Sequence, residues 1–148
     1  MGKRLQSQPG HVYCLTSDGE WNEGSNWEAL IFSAHNKLTN LTIIVDANGL
    51  QGFGSTGEVA DLAPLAQKFA VFGFDTLEID GHDPKAIEAA LASPAVRPRV
   101  IVARTVKGNG VSFMEGRMEW HYLPMTDAQY QQAVTEVKEC GTLSAARS

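Results

Sequence analysis

The apolar positions change period several times along the chain, and each change marks an element. His11-Val-Tyr-Cys-Leu-Thr16 is a short apolar run that predicts a buried strand, and an acidic turn, TSDGEWNEG, follows it. From Asn26 the period becomes helical through Trp27, Leu30, Ile31 and Ala34, with Asn22 or Ser25 as caps and an end near Lys37. Leu41-Thr-Ile-Ile-Val45 is a second β-branched run, stopped by Asp46-Ala-Asn-Gly49. An Asn-Gly pair can close a hairpin, but no alternating partner follows at hairpin distance, so a strand ending in a loop is expected. Residues 50–60 carry three glycines and little periodicity, which predicts a flexible surface loop. Helical spacing returns from Asp61 to Phe72, with Pro64 tolerated in the first turn. Phe74 to Ile79 reads as a third strand, Asp83 and Pro84 as cap and opening of a helix over 85–92, and Arg99 to Val106 as a fourth strand. Residues 111–125 show no clear period. Thr126 with Gln129 makes a capping box for a final helix through about Glu139, with Gly141 just beyond.

Strands alternating with helices of this length predict parallel βαβ units, an α/β sheet with helices on both faces. The loops that follow the strands of such a sheet gather at its carboxyl edge, where ligands bind. The acidic turn after the first strand and the Asp46-to-Gly49 turn after the second meet there if the two strands are neighbours.

The chain has 148 residues, 43% of them hydrophobic, which suits one compact domain with its own core. A formal charge of -5 argues against a nucleic-acid surface, which needs clustered Lys and Arg, but leaves room for a small anion bound locally. Cys14 and Cys140 form neither a disulfide framework nor a metal knuckle. No apolar stretch is long enough to span a membrane and residues 1–8 lack a signal-peptide core, so a cytoplasmic protein without membrane partners is expected.

With the two turns adjacent, Asp18 and Asn48 offer two side-chain oxygens to one site and a backbone carbonyl just beyond Asn48 offers a third. Hard oxygen ligands with one carboxylate suit Mg, particularly where phosphate oxygens complete the shell. The other reading of these residues is local: Asp18 caps a turn and Asn48-Gly49 makes a tight bend. The two residues alone are compatible with both.

The segment DGEWNEGSNWEAL followed by IIVDANGLQ resembles the diphosphate-binding motif of thiamine diphosphate enzymes, the transketolase family in particular. That motif is Gly-Asp-Gly followed, roughly thirty residues on, by Asn; the later KGNGVSFMEG and the span from about Lys3 to Val134 add to the likeness. The resemblance implies a three-layer α/β/α, mostly parallel fold, a partial diphosphate-binding domain over 1–148. It also implies Mg held by the side chains of Asp18 and Asn48 and the carbonyl of Leu50, with Gly19 against the diphosphate of thiamine diphosphate. Glu23 matches an acid beneath the cofactor at the subunit interface, and His121, in EWHY, a histidine near the diphosphate and substrate channel. Both thereby become candidate catalytic residues. His11, His35 and His82 are left structural; Lys107 is solvated or anion-facing.

The chain departs from the family in two ways. Ser17 stands where the motif has its first Gly, which matters if the position needs positive φ. The family's upstream loops and its pyrimidine-binding domain are also absent from these 148 residues. The resemblance therefore implies one component of a homo- or hetero-oligomer, joining a pyrimidine-domain chain to move a two-carbon ketol unit between sugar phosphates. The alternatives are a catalytically inactive truncated fragment and a simple Mg-diphosphate binding module. A surface left open by missing segments is expected in each case, and Trp21, Trp27, Phe53 and Trp120 are candidates either for it or for the core.

Overall fold

The computed structural model describes residues 1–145. A short α1 (Gly2–Leu5) precedes β1 (Val12–Ser17), and a 3-10 turn (Gly19–Asn22) leads into α2 (Gly24–His35). Next come β2 (Leu41–Ala47), a ribbon of β3 (Leu50–Gln51) and β4 (Gly54–Ser55), α3 (Thr56–Ala60) and α4 (Leu65–Val71). The chain continues through β5 (Asp75–Asp80), α5 (Pro84–Ala92), β6 (Arg99–Arg104), a second 3-10 turn (Met118–His121) and α6 (Asp127–Ala145).

Four strands form one parallel sheet in the order β1-β2-β6-β5. β1 and β2 pair in register from Val12↔Leu41 to Ser17↔Asp46, so the turns that follow them emerge side by side. The path to β5 crosses to the far edge, and β6 returns beside β2. The strand order therefore reverses between β2 and β6, the place where an open parallel sheet forms a crevice.

Alternation along the strands divides the side chains between two layers. Ile43, Val45, Val100 and Val102 face α2 and α4, where Trp21, Leu30, Phe69 and Phe74 complete the core. Trp21 stacks edge-on against Phe69 at 4.6 Å and Trp27 at 5.5 Å, geometries that aromatic quadrupoles favour. Ile44, Ile79 and Ile101 turn to the other face, beside Ile87 and Leu91 of α5. Leu15 on that face and Tyr13 of the same edge strand are 73% and 58% exposed.

Three readings need correction. Residues 50–60 are not a flexible loop: β3 and β4 pair antiparallel, and Ser55 with Glu58 forms a full capping box that starts α3. Two-residue strands are too short to register a period, while the Ser-x-x-Glu signature was present in the sequence. The helix expected from Asp61 begins only at Leu65, because Pro64 adopts an extended backbone as its N-cap. The last helix runs past Gly141 to Ala145. Of the aromatic candidates, Trp21 is core and Trp27 packs on it, Trp120 is half-buried against Phe113, and Phe53 is 86% exposed.

Candidate functional site

β1 ends at Ser17, and the next residue, Asp18, caps the 3-10 turn. Its side chain is 6% exposed and accepts two backbone amides: Gly19 at 2.8 Å on Oδ1 and Gly49 at 2.6 Å on Oδ2. The second bond joins the two turns directly. Gly49 holds φ at +75°, a left-handed conformation glycine adopts without strain, and this aims its amide at Asp18. Asn48 accepts the amide of Leu50 on its own Oδ1 at 3.0 Å, an Asx-type turn that fixes the Leu50 backbone. Asp18, Gly19, Asn48 and Leu50 thus converge at the carboxyl edge.

The local and the ligand readings of Asp18 are both legible in these bonds. The carboxylate does cap its own turn, yet two amides occupy only two of its roughly four lone-pair sites. Burial, the larger effect, pushes the Asp18 carboxyl above the ordinary carboxylate range, against the pull of the Gly49 and Gly19 amides, and Asp46 adds a smaller push upward. A buried anion disfavoured in this way is what a divalent cation relieves.

Cavities open on both sides of this junction. One, of about 230 Å³, is lined by Asp18, Asn48, Thr56, Asp61 and Arg104. The other is an open cleft of about 460 Å³ at the β2–β6 crevice, lined by Asp46, Asn48, His82, Thr105, Lys107 and Asn109. The Thr105 hydroxyl donates to Asp46 across that crevice. His82 accepts the Val106 amide at Nε2, 2.8 Å away, which pins the loop after β6.

Glu23 and His121 lie further out. Glu23 is the exposed N-cap of α2 and makes no capping bond with its side chain. His121 ends the second 3-10 turn, exposed, its ring against Tyr122 at 4.9 Å. That turn reaches the ribbon through Tyr122, whose hydroxyl donates to the Gly52 carbonyl at 3.1 Å. His11 bonds Thr42 at 2.8 Å, a structural contact. Sequence reading passed over Gln51, Thr105 and Tyr122. Gln51 stood inside the quoted IIVDANGLQ, whereas nothing in the sequence ties Thr105 to Asp46 or Tyr122 to Gly52.

The donor set limits what metal the site suits. Among the described residues no group of three or more His, Cys, Asp or Glu side chains could hold an ion. One carboxylate, one amide oxygen and one carbonyl suit a hard cation that arrives with phosphate oxygens of its own, so the residues present fit Mg with a diphosphate.

A parallel α/β domain with a buried acid and an Asn-Gly turn joined at the carboxyl edge of its sheet has the architecture in which ligands bind at that edge. Comparison with known proteins makes this particular: the chain belongs to the transketolase, thiamine diphosphate-binding domain family, whose model matches residues 5–139. It is 42% identical over 130 residues to one of the subunits of apulose-4-phosphate transketolase from Actinobacillus succinogenes, covering 86% of this chain and 47% of that protein. The protein of the same name from Phocaeicola vulgatus is 37% identical, with coverage of 94% and 50%. The chain thus spans about half the length of these curated relatives. Among solved structures, transketolase from Campylobacter jejuni superposes with a TM-score of 0.83 at 30% identity, over 88% of this chain and 21% of that one. No described helix is long and apolar enough to cross a membrane.

Proposed function

We propose that this chain supplies the diphosphate and metal half-site of a transketolase-type enzyme, one that transfers a two-carbon ketol unit between sugar phosphates in the cytoplasm. The observation that carries the proposal is the Gly49-to-Asp18 hydrogen bond, which unites the two halves of the motif at the carboxyl edge. Asp18, Asn48 and the Leu50 carbonyl would hold Mg, and the backbone around Gly19 would border the diphosphate. Glu23 at the start of α2 and His121 on the outer turn would serve the cofactor from the subunit interface and the substrate side. Lys107, lining the cleft beside Asn48, supplies positive charge toward an anion.

When bound, thiamine diphosphate would supply the electron sink that carbon–carbon bond cleavage within a ketose phosphate requires. The residues of this chain bind and orient; the pyrimidine-binding part comes from a partner chain, in keeping with relatives that are themselves named as transketolase subunits.

The test is reconstitution. The chain, mixed with a pyrimidine-domain chain of a two-component transketolase, is assayed for ketol transfer from a ketose phosphate to an aldose phosphate. Activity that depends on both chains and falls at least a hundredfold with Asp18→Ala is expected. A mixture that binds thiamine diphosphate and transfers nothing overturns the enzymatic reading and leaves a binding module.

A further inference from the structure

Gln51 sits one residue beyond the Leu50 carbonyl, on β3, with its side chain lying over Gly19. A Cβ built on Gly19 would stand 3.1 Å from Gln51 Cβ and 3.3 Å from Oε1, so glycine at 19 is what makes room for this carboxamide. The two ends of the carboxamide differ. Oε1 accepts a long hydrogen bond from Asn22 Nδ2 at 3.4 Å. Nε2 is buried and donates to no acceptor.

Only one other side-chain atom among the described residues shares that condition, Arg99 Nε. The Arg99 guanidinium nevertheless makes four hydrogen bonds through its two terminal nitrogens, so its charge is well served. Gln51 has no such compensation. A buried donor without an acceptor destabilises the fold, and each such group calls for an explanation, an acceptor supplied from outside the chain among them. The surroundings of Gln51 point to the kind of acceptor. It bridges the turn that carries Asp18 and the ribbon that carries Leu50, and a neutral amide can donate there without adding a charge that would compete with a cation at Asp18.

We propose that Gln51 is a further binding residue of this site, its Nε2 donating to an oxygen of the bound diphosphate. The inference rests on the proposed Mg-diphosphate reading and adds a residue to it. It also gives Gly19 a second role, that of seating Gln51: Gly19→Ala would press on the carboxamide and displace the donor.

The probe is inorganic pyrophosphate with Mg, titrated into the full chain and into Asp18→Ala, Gln51→Leu and Gln51→Glu, with the Tm of each recorded without ligand. Gln51→Leu removes the orphan donor, so its Tm should rise while its affinity drops ten- to a hundredfold, the loss of a hydrogen bond to a charged group. Gln51→Glu should weaken binding further by placing a second negative charge against the diphosphate. Wild-type affinity in both variants, alongside lost binding in Asp18→Ala, overturns the role of Gln51 and leaves the site standing. No Mg-dependent binding by the wild-type chain overturns the site and Gln51 with it. Should Gln51→Leu fail to fold, Gln51→Asn keeps the amide and shortens its reach; undiminished affinity there is equally fatal to the proposal.

Discussion

Asp18 is a carboxylate that folding makes harder to ionise, and this sets its behaviour with pH. Burial raises its pKa above the unfolded value of about 3.9, so the folded metal-free chain holds the proton more tightly than the unfolded chain. Its contribution to stability is therefore most favourable on the acid side and declines as pH rises through the raised pKa. Mg reverses the preference, because only the carboxylate is a ligand. Mg affinity should weaken on acidification while the pH is still above the ordinary aspartate range, and Mg titrations at stepped pH read this directly. Weakening confined to the ordinary range would contradict the assignment. At this scale the sequence was most informative where chemistry and spacing coincide, at Asp18 and Asn48. Ser17 was an apparent misfit that the structure explains: it closes β1 in extended pairing with Asp46, so glycine's left-handed backbone is not required there. Its amide and hydroxyl instead bind the Glu20 carboxylate, at 2.5 and 3.1 Å. Tyr122 could not be read in advance, because its partner lies 70 residues away.

Elements were legible where period and caps agreed. Asp83 accepts the Lys85 amide and Pro84 opens α5, as the pair predicted. The same helix ends on an interaction that no local pattern announces. Arg99, 4% exposed at the start of β6, donates to the carbonyls of Ala90, Ser93 and Pro94 and pairs with Asp75 at 2.9 Å. One guanidinium thus satisfies the carboxyl end of α5 and ties it to β5, a double duty that arginine's fixed fork allows. Arg99→Ala leaves the Ser93 and Pro94 carbonyls and the Asp75 carboxylate without this donor, while the Ala90 carbonyl keeps the Ser93 hydroxyl. Chemical denaturation should show a loss of about 3–5 kcal/mol, the usual cost of breaking a buried pair from one side. A loss below about 1 kcal/mol would mean that water replaces the guanidinium and that the tie is incidental. The ribbon β3–β4 marks the opposite limit of sequence reading. It is held by its pairing and by the Ser55–Glu58 box, neither of which depends on hydrophobic period.

For the molecule as a whole, alternating strands and helices predicted a parallel sheet, and neighbouring β1 and β2 delivered the two halves of the motif to one edge. The order of the remaining strands was not deducible, since any crossover length would allow β5 to join either side. That order matters to function, because the reversal between β2 and β6 opens the cleft in which Asp46, His82 and Lys107 gather beside Asn48. The central claim is that this edge binds Mg and a diphosphate through Asp18 and Asn48. Calorimetric titration of thiamine diphosphate into the folded chain with Mg, repeated with Asp18→Ala, tests it most directly. Micromolar binding at one site per chain is expected, and it should disappear in the variant and when Mg is chelated. No heat of binding from a folded sample, or binding indifferent to Asp18 and to Mg, would contradict it.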